Sequence, residues 1–163
     1  YYLEMRDRAQ FKPAYTNHAD LTLVTLTRVD VPYYRFLYGT VGEALRWRDR
    51  LLMADDELVA TLSESQVTVL HVGGVPAGYV ELGARDSQGG VEIAYFGLRP
   101  EYLGMGLGKY LLSVGIEAAW SRDAARVWVH TCNLDHPHAL DNYLKRGFAL
   151  YDTHEETMPM RYA

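Results

Sequence analysis

The chain has 163 residues, 48% of them hydrophobic and 23% charged, which is typical of one folded domain and excludes a disordered or fibrous protein. Its 16 basic and 21 acidic side chains give a net charge of -5, which excludes a broad basic surface for nucleic acid but allows a small anion site. No apolar run approaches the roughly 20 residues of a membrane-spanning helix, and the first residues lack a signal-peptide pattern, so no membrane partner is expected.

The first third of the chain predicts a strand followed by helices. Leucine or valine alternates with threonine over residues 21–27, which indicates a half-buried strand. After Pro32, apolar residues recur at helical spacing, namely at Tyr34, Leu37, Tyr38 and Val41. Two glycines weaken the end of this helix, so a second helix is predicted over about 43–53, and the acidic residues 55–57 mark the start of another.

Three strands joined by tight turns are predicted in the middle of the chain. Gln66–Val72 and Val75–Leu82 flank Gly73-Gly74, which is the pattern of a two-residue β-hairpin. Residues 86–90 form a second turn before the next predicted strand, Val91–Leu98. Such short turns imply antiparallel pairing.

The second half of the chain alternates helices and strands. The glycine-rich stretch 104–108 leads into a helix that ends near Arg122, and a strand is predicted over 126–131. A helix over 137–146 and a terminal hairpin over 148–161 complete the chain. Because strand–helix–strand order implies parallel strands, the predicted fold is a mixed α/β domain covering residues 1–163.

The turn between Leu98 and the following helix is predicted to bind an anion. It contains the run Leu103-Gly-Met-Gly-Leu-Gly-Lys109. Glycine lets a backbone approach a ligand closely, and the first N–H groups of a helix have no internal acceptors, so this terminus can bind a phosphate. The alternative is a flexible turn before a core helix. The glycine spacing fits neither a P-loop nor a Rossmann nucleotide site.

Two segments of the chain carry a family resemblance. Residues 92–109 (EIAYFGLRPEYLGMGLGK) resemble motif A of the GNAT superfamily of acyl-CoA-dependent N-acetyltransferases, and residues 135–148 (DHPHALDNYLKRGF) resemble its second signature, N-x-x-A-x-x-x-Y-x-x-x-G-F. The resemblance covers about 66–161. It implies a single-domain, mostly antiparallel twisted sheet flanked by helices, with the acetyl-CoA-binding core in that range and acceptor-side helices at about 32–61.

The resemblance also implies a set of coenzyme-binding residues. The end of the predicted strand would hydrogen-bond the acetyl group and pantetheine arm through the backbone of Phe96, Gly97 and Leu98. The pyrophosphate would be held by the amides of Leu103, Gly104, Met105, Gly106, Leu107, Gly108 and Lys109. Leu103 stands where the family usually has Arg or Gln, and His136 stands where an Asn often bonds the pantetheine arm; a histidine can still make one hydrogen bond.

Acetyl transfer to an amine needs a base and an acid. An amine with a pKa of about 10.4 arrives charged and must lose a proton before it can attack. The leaving thiolate needs a proton, and Tyr143 matches the family tyrosine that points at the thioester sulfur. Its alternative role is a packed tyrosine on the inner face of the last helix.

Two glutamates are candidate bases. Glu92 occupies the position of the base in the histone-acetyltransferase branch, and strand alternation predicts that it shares a face with Ala94, Phe96 and Leu98. Glu81, on the neighbouring predicted strand, is the second candidate. The alternatives are solvated glutamates that pair across strands, and a proton relay through water.

Other polar and aromatic residues support weaker hypotheses. Cys132 lies near His130, His136 and His138, but direct transfer in the family needs no thiol, and the two later histidines lack a third ligand, so no metal is expected. A single cysteine is also compatible with a reducing cytoplasm. Four aromatic residues could wall the acceptor site or pack in the core, and the pattern leaves both open: Tyr33, Tyr34, Tyr38 and Trp47.

The sequence therefore predicts a cytoplasmic N-acetyltransferase that moves an acetyl group from acetyl-CoA to a primary amine by direct attack in a ternary complex. The acceptor is a small molecule or a peptide. The alternative is a non-catalytic acyl-CoA-binding module that acts as a sensor or binds a partner. Whether the donor could be a longer acyl-CoA depends on the width of the cleft beside Gly97. A homodimer is compatible with the family.

Overall fold

A seven-stranded twisted sheet organises the chain in the computed structural model, which describes residues 1–18 and 20–162. The strands lie in the order β2-β3-β4-β5-β6-β1-β7. Their bounds are β1 Tyr2–Met5, β2 Leu21–Thr25, β3 Gln66–Val72, β4 Val75–Leu82, β5 Gly90–Leu98, β6 Arg126–His130 and β7 Ala149–Asp152. All neighbouring strands pair antiparallel except β5 and β6, which are parallel, so the predicted mixed, mostly antiparallel fold is confirmed.

Within residues 1–18 and 20–162, five α-helices flank the sheet. They are α1 Val31–Gly42, α2 Asp49–Leu52, α3 Asp55–Glu64, α4 Leu107–Trp120 and α5 Ala139–Lys145. Asp30 caps α1 by accepting a hydrogen bond from the backbone N–H of Tyr33 (2.9 Å), which satisfies one of the free donors at the helix start. In the described part of the chain no helix is both long and apolar enough to cross a membrane.

Two apolar cores lie on opposite faces of the sheet. On one face α4 packs through Leu111 and Ile116 against β4, β5 and β6. Gly115 makes this possible, because a Cβ there would lie 2.6 Å from the side chain of Val80. On the other face α1 and α3 pack through Leu37 and Leu58 against β3 and β4. Helices thus cover β4, β5 and β6 on one face of the sheet and mainly β3 and β4 on the other.

A β-bulge at Ala94 in β5 overturns the predicted alternation of that strand. Glu81 pairs with Tyr95, but the next residue of β4, Leu82, pairs with Ile93, so Ala94 is an extra residue. Ile93 and Phe96 therefore both join the α4 core, whereas Tyr95 joins the opposite core. The prediction that Glu92 shares a face with Phe96 and Leu98 is wrong, since Glu92 precedes the bulge and lies on the α1 side.

Two predicted elements differ from the structure for packing reasons. The helix predicted over 43–53 is broken into the 3-10 turn Glu43–Leu45 and the short α2, with Arg46 in the left-handed region (φ 59°). Trp47 packs directly on Gly42, so the chain must reverse there. The prediction of a terminal hairpin is also wrong. β7 pairs with the unpredicted strand β1 and not with the residues that follow β7.

Candidate active site

A cleft opens where two parallel strands separate. β5 and β6 pair only over Gly90–Glu92 and Arg126–Trp128, and beyond these residues they diverge. The space between them is a cleft of about 1020 Å³. It is lined by the end of β5, the loop before α4, the segment from β6 to α5, the α1–α2 connection and residues 156–159 and 162. Most of the residues predicted from the sequence line it, and Met105 and Glu81 do not.

The loop before α4 presents bare backbone to this cleft. Gly104 and Gly106 both lie in the left-handed region (φ 77° and 74°), which favours glycine. Gly106 caps α4 without a side-chain hydrogen bond, so the first N–H groups of the helix have no protein cap. A Cβ at Gly104 would meet no atom within 4 Å, and one at Gly106 would meet only Lys109 at 3.6 Å. The free donors thus face an open space of the kind that holds an anion.

Tyr143 lies against the end of β5, in the middle of the cleft. Its side chain is only 6% exposed and its ring packs edge-on against Phe96 (ring centroids 6.3 Å apart) and Phe148 (5.9 Å). No group in residues 1–18 or 20–162 hydrogen-bonds its hydroxyl. Burial raises the pKa of Tyr143, and the nearby charge of Asp135 raises it further. The phenol therefore stays protonated and is available as a proton donor.

The second predicted catalytic residue, Glu92, is paired. Its Oε1 lies 2.9 Å from Nδ1 of His130, and both side chains line the cleft. This hydrogen bond raises the pKa of His130 above its ordinary value. The pairing of His130 with Glu92 was not predicted, because the register between β5 and β6 cannot be derived from the local sequence pattern.

Glu81 lies in a different environment from Glu92. It is completely buried, accepts a hydrogen bond from Nη2 of Arg50 (2.9 Å), and accepts another from the hydroxyl of Tyr34. Burial raises the pKa of Glu81, and the positive charge of Arg50 opposes that shift. Glu92 lines the cleft, whereas Glu81 does not, so of the two carboxylates only Glu92 is open to the cleft.

Three aromatic rings form a corner of the cleft beside Glu92. Tyr38, Trp47 and Tyr95 have ring centroids 5.0–5.4 Å apart and meet at steep angles. Of the four aromatic residues singled out from the sequence, Tyr38 and Trp47 line the cleft, whereas Tyr34 is buried next to Glu81 and Tyr33 lies outside the cleft. The hypothesis of an aromatic wall therefore fits only Tyr38 and Trp47 of these four residues.

Gly97 and His136, two further residues predicted to bind the coenzyme, also line the cleft. A Cβ at Gly97 would lie 2.6 Å from the side chain of Val41, so α1 closes on the strand there and only glycine fits. His136 lines the cleft, and its ring lies 5.3 Å from that of His138. Across the described ranges, no group of three His, Cys, Asp or Glu side chains is arranged to hold a metal ion.

The last described residues line one end of the cleft. Asp49 at the start of α2 accepts hydrogen bonds from Nε of Arg161 (2.8 Å) and from the hydroxyl of Tyr162 (2.5 Å). Residues 156–159 and 162 consequently line the cleft beside Asp49. The hydrogen bonds that place this segment in the cleft join residues more than 100 positions apart, so the local sequence pattern, which predicted a hairpin, could not show them.

Comparison with known proteins identifies the type of domain. The sequence model of the acetyltransferase (GNAT) family matches residues 25–148. A comparison with curated protein sequences gave no match.

Solved structures resemble the fold over most of the chain. A GCN5-related N-acetyltransferase from Kribbella flavida is 15% identical over 91% of this chain, with a TM-score of 0.64, and this chain spans 52% of its length. An aminoglycoside acetyltransferase from an uncultured soil metagenomic sample, in complex with trehalose, is 15% identical over 86% of this chain and 96% of its own (TM-score 0.67). A GNAT family acetyltransferase from Elizabethkingia anophelis with acetyl-CoA bound is 18% identical over 83% and 80% (TM-score 0.63).

Proposed function

Because this chain belongs to the acetyltransferase (GNAT) family, we propose that it transfers an acetyl group from acetyl-CoA to a primary amine by direct attack in a ternary complex. The observation that carries the proposal is the cleft between the diverging strands β5 and β6, with bare backbone donors at one end and the Glu92–His130 pair at the other. We also assign residues 1–163 to one domain, with the coenzyme held by about 66–161 and the acceptor by about 32–61.

Coenzyme binding is supported by the loop from Leu103 to Lys109. Its positive-φ glycines and the uncapped start of α4 suit a pyrophosphate, which needs several donors at short range. Leu103 supplies no polar side chain, so these contacts would come from the backbone amides, with the ammonium of Lys109 adding a point charge. The backbone at Phe96 and Leu98, where the strands separate, would receive the acetyl group and pantetheine arm.

The reaction would use three protein functions in the cleft. A fixed backbone N–H at the end of β5 would stabilise the negative charge that develops on the thioester oxygen. The buried hydroxyl of Tyr143 would protonate the departing thiolate, because its raised pKa keeps it in the phenol form at neutral pH. The pair of Glu92 and His130 would remove the proton of the amine, since it lies on the open, α1-facing side of the sheet.

The acceptor can be sought with acetyl-CoA and a panel of amines. The panel contains spermidine, lysine, a short peptide with a free N-terminus, and the aminoglycoside sisomicin, because one structural neighbour is an aminoglycoside acetyltransferase in complex with sisomicin. Release of the coenzyme thiol should rise above the no-amine control for at least one class. Tight acetyl-CoA binding with no thiol release for any amine would support the non-catalytic binding module instead.

Tyr143→Phe is expected to lower the turnover number by about 10- to 100-fold and to leave acetyl-CoA affinity nearly unchanged, because only the proton for the thiolate is lost. Steady-state kinetics and calorimetry measure the two quantities. The matched control is Tyr110→Phe on α4, whose side chain does not line the cleft and which should keep normal turnover. Equal turnover in both variants would contradict the role of Tyr143 as the acid.

A further inference from the structure

The ring of His130 is held in one orientation. Its Nδ1 lies 2.9 Å from Oε1 of Glu92, so that nitrogen carries the proton and donates it to the carboxylate, and Nε2 is left as an acceptor. The rings of Tyr2 and Trp128 stack on it, with centroids 5.7 and 6.1 Å away and interplanar angles of 26° and 29°. A histidine with a defined tautomer and a fixed plane is arranged as a proton acceptor.

His130 is also the more accessible member of its pair. Its side chain is 55% exposed, whereas that of Glu92 is 26% exposed, and both line the cleft. The exposed member of such a pair meets an incoming amine first, and one carboxylate oxygen of Glu92 is already used by the ring. Proton transfer requires a group within hydrogen-bond reach of the reacting nitrogen.

The charged groups around His130 make its imidazole a stronger base. The hydrogen bond that His130 donates to Glu92 on β5, the charge of Glu92 and the charge of Asp135 in the loop after β6 raise the pKa of His130. Partial burial lowers it, and the net result is a pKa above the ordinary value. Next to the Tyr2 ring that stacks on His130 lies His154, which contacts that ring (5.2 Å) and is paired with Asp152. A base whose pKa is closer to that of the amine removes its proton more effectively.

We propose that His130, oriented by Glu92, is the base that accepts the proton of the acceptor amine; this rests on the proposed function. Nε2 of His130 first takes the proton of the bound ammonium and passes it to water, which frees the nitrogen lone pair. The amine then attacks the acetyl carbon, the carbon–sulfur bond breaks, and Tyr143 protonates the departing sulfur. The second nitrogen proton, released as the amide forms, also leaves through His130 to water, and the phenolate of Tyr143 regains a proton from water. Glu92 is then a positioning residue that keeps the proton on Nδ1 and stabilises the positive ring.

The test compares His130→Gln with His154→Gln. His154 is a matched control: its Nε2 lies 3.0 Å from Oδ2 of Asp152, it packs on the same Tyr2 ring, and it does not line the cleft. Turnover is measured from pH 5.5 to 9 with saturating acetyl-CoA and the panel amine that releases thiol fastest. His130→Gln should lower turnover about 100-fold at pH 8, and His154→Gln should leave it unchanged.

The pH dependence separates a base from a structural histidine. Wild-type His130 becomes protonated as the pH falls through its pKa and stops acting as a base, so the deficit of His130→Gln should shrink at low pH. Glu92→Gln should lower the pKa of His130, which ring NMR measures directly, and should move the acidic limb of the profile to lower pH. A deficit of His130→Gln that is small or the same at every pH would overturn the inference.

Failure of the inference differs from failure of the proposed function. If wild-type protein releases no thiol with any panel amine, the proposed transfer is wrong and the base role falls with it. If the wild-type protein releases thiol but the pH profile of His130→Gln keeps its acidic limb, only the role of His130 is wrong. In that case, loss of the acidic limb from the pH profile of Glu92→Gln would identify Glu92 as the direct base.

Discussion

Gly106→Val is expected to weaken acetyl-CoA binding by at least about 100-fold, which corresponds to about 2.7 kcal/mol of binding free energy. Gly106 lies in the left-handed region (φ 74°) at the start of α4, where a β-branched side chain is strained. Its Cβ would project into the open space beside the loop, because only Lys109 lies within 4 Å. The valine would thus fill the position proposed for the pyrophosphate and turn the backbone donors away from it.

The control for this variant must carry the same backbone strain elsewhere. Gly74 in the β3–β4 hairpin has φ 83°, a Cβ there would meet no atom within 4 Å, and the residue does not line the cleft. Gly74→Val should lower stability and leave coenzyme affinity normal, as calorimetry and thermal unfolding together would show. Normal affinity in folded Gly106→Val would remove the loop from the coenzyme site.

The parts of the fold that depend on local chemistry were predictable from the sequence. Gly73-Gly74 can adopt the positive φ values of a two-residue hairpin, and both strands beside it have the predicted bounds. The glycine run after Leu98 likewise indicated an open loop before a helix. In each case the residue type limits the backbone conformation directly.

The arrangement of the candidate bases was not predictable, because it depends on contacts between distant elements. The bulge at Ala94 has no local signal, and it separates Glu92 from Phe96 across the sheet. The partner of Glu92 depends on the register between β5 and β6. The arginine that pairs with Glu81 comes from α2, which was predicted only as part of one continuous helix over 43–53. Strand alternation alone treats both glutamates as equivalent, whereas the structure gives one a histidine at the cleft and the other a buried arginine.

Arg50→Met is expected to lower the free energy of unfolding by about 3–5 kcal/mol, because it leaves the carboxylate of Glu81 buried without its cation. Glu81 has no exposed surface, and within the described residues its only other side-chain hydrogen-bond partner is the hydroxyl of Tyr34. Urea unfolding measures the change. The control is Arg6→Met, since Arg6 is mostly exposed and Glu4, its partner, keeps Arg126; its effect should stay below about 1 kcal/mol.

The sign of the pH dependence follows from the pKa of Glu81. Burial already raises this pKa, and loss of Arg50 removes the charge that opposes the shift. A carboxyl group whose pKa is higher in the folded than in the unfolded state lowers the free energy of unfolding when it is ionised. It does not affect that free energy at a pH where it is protonated in both states. The deficit of Arg50→Met should therefore be largest near pH 7 and shrink as the pH falls toward 5.

The double variant Arg50→Met, Glu81→Gln decides whether the pair acts as a unit. An amide at position 81 carries no charge and still accepts from Tyr34, so the double variant should recover more than half of the stability lost in Arg50→Met. Recovery is favoured further because Nη1 of Arg50 is buried with no hydrogen-bond partner in the described residues, so the wild-type pair is itself incompletely satisfied. If the double variant also releases thiol at the wild-type rate, Glu81 has no part in the chemistry; if stability recovers and turnover does not, Glu81 is more than a structural carboxylate.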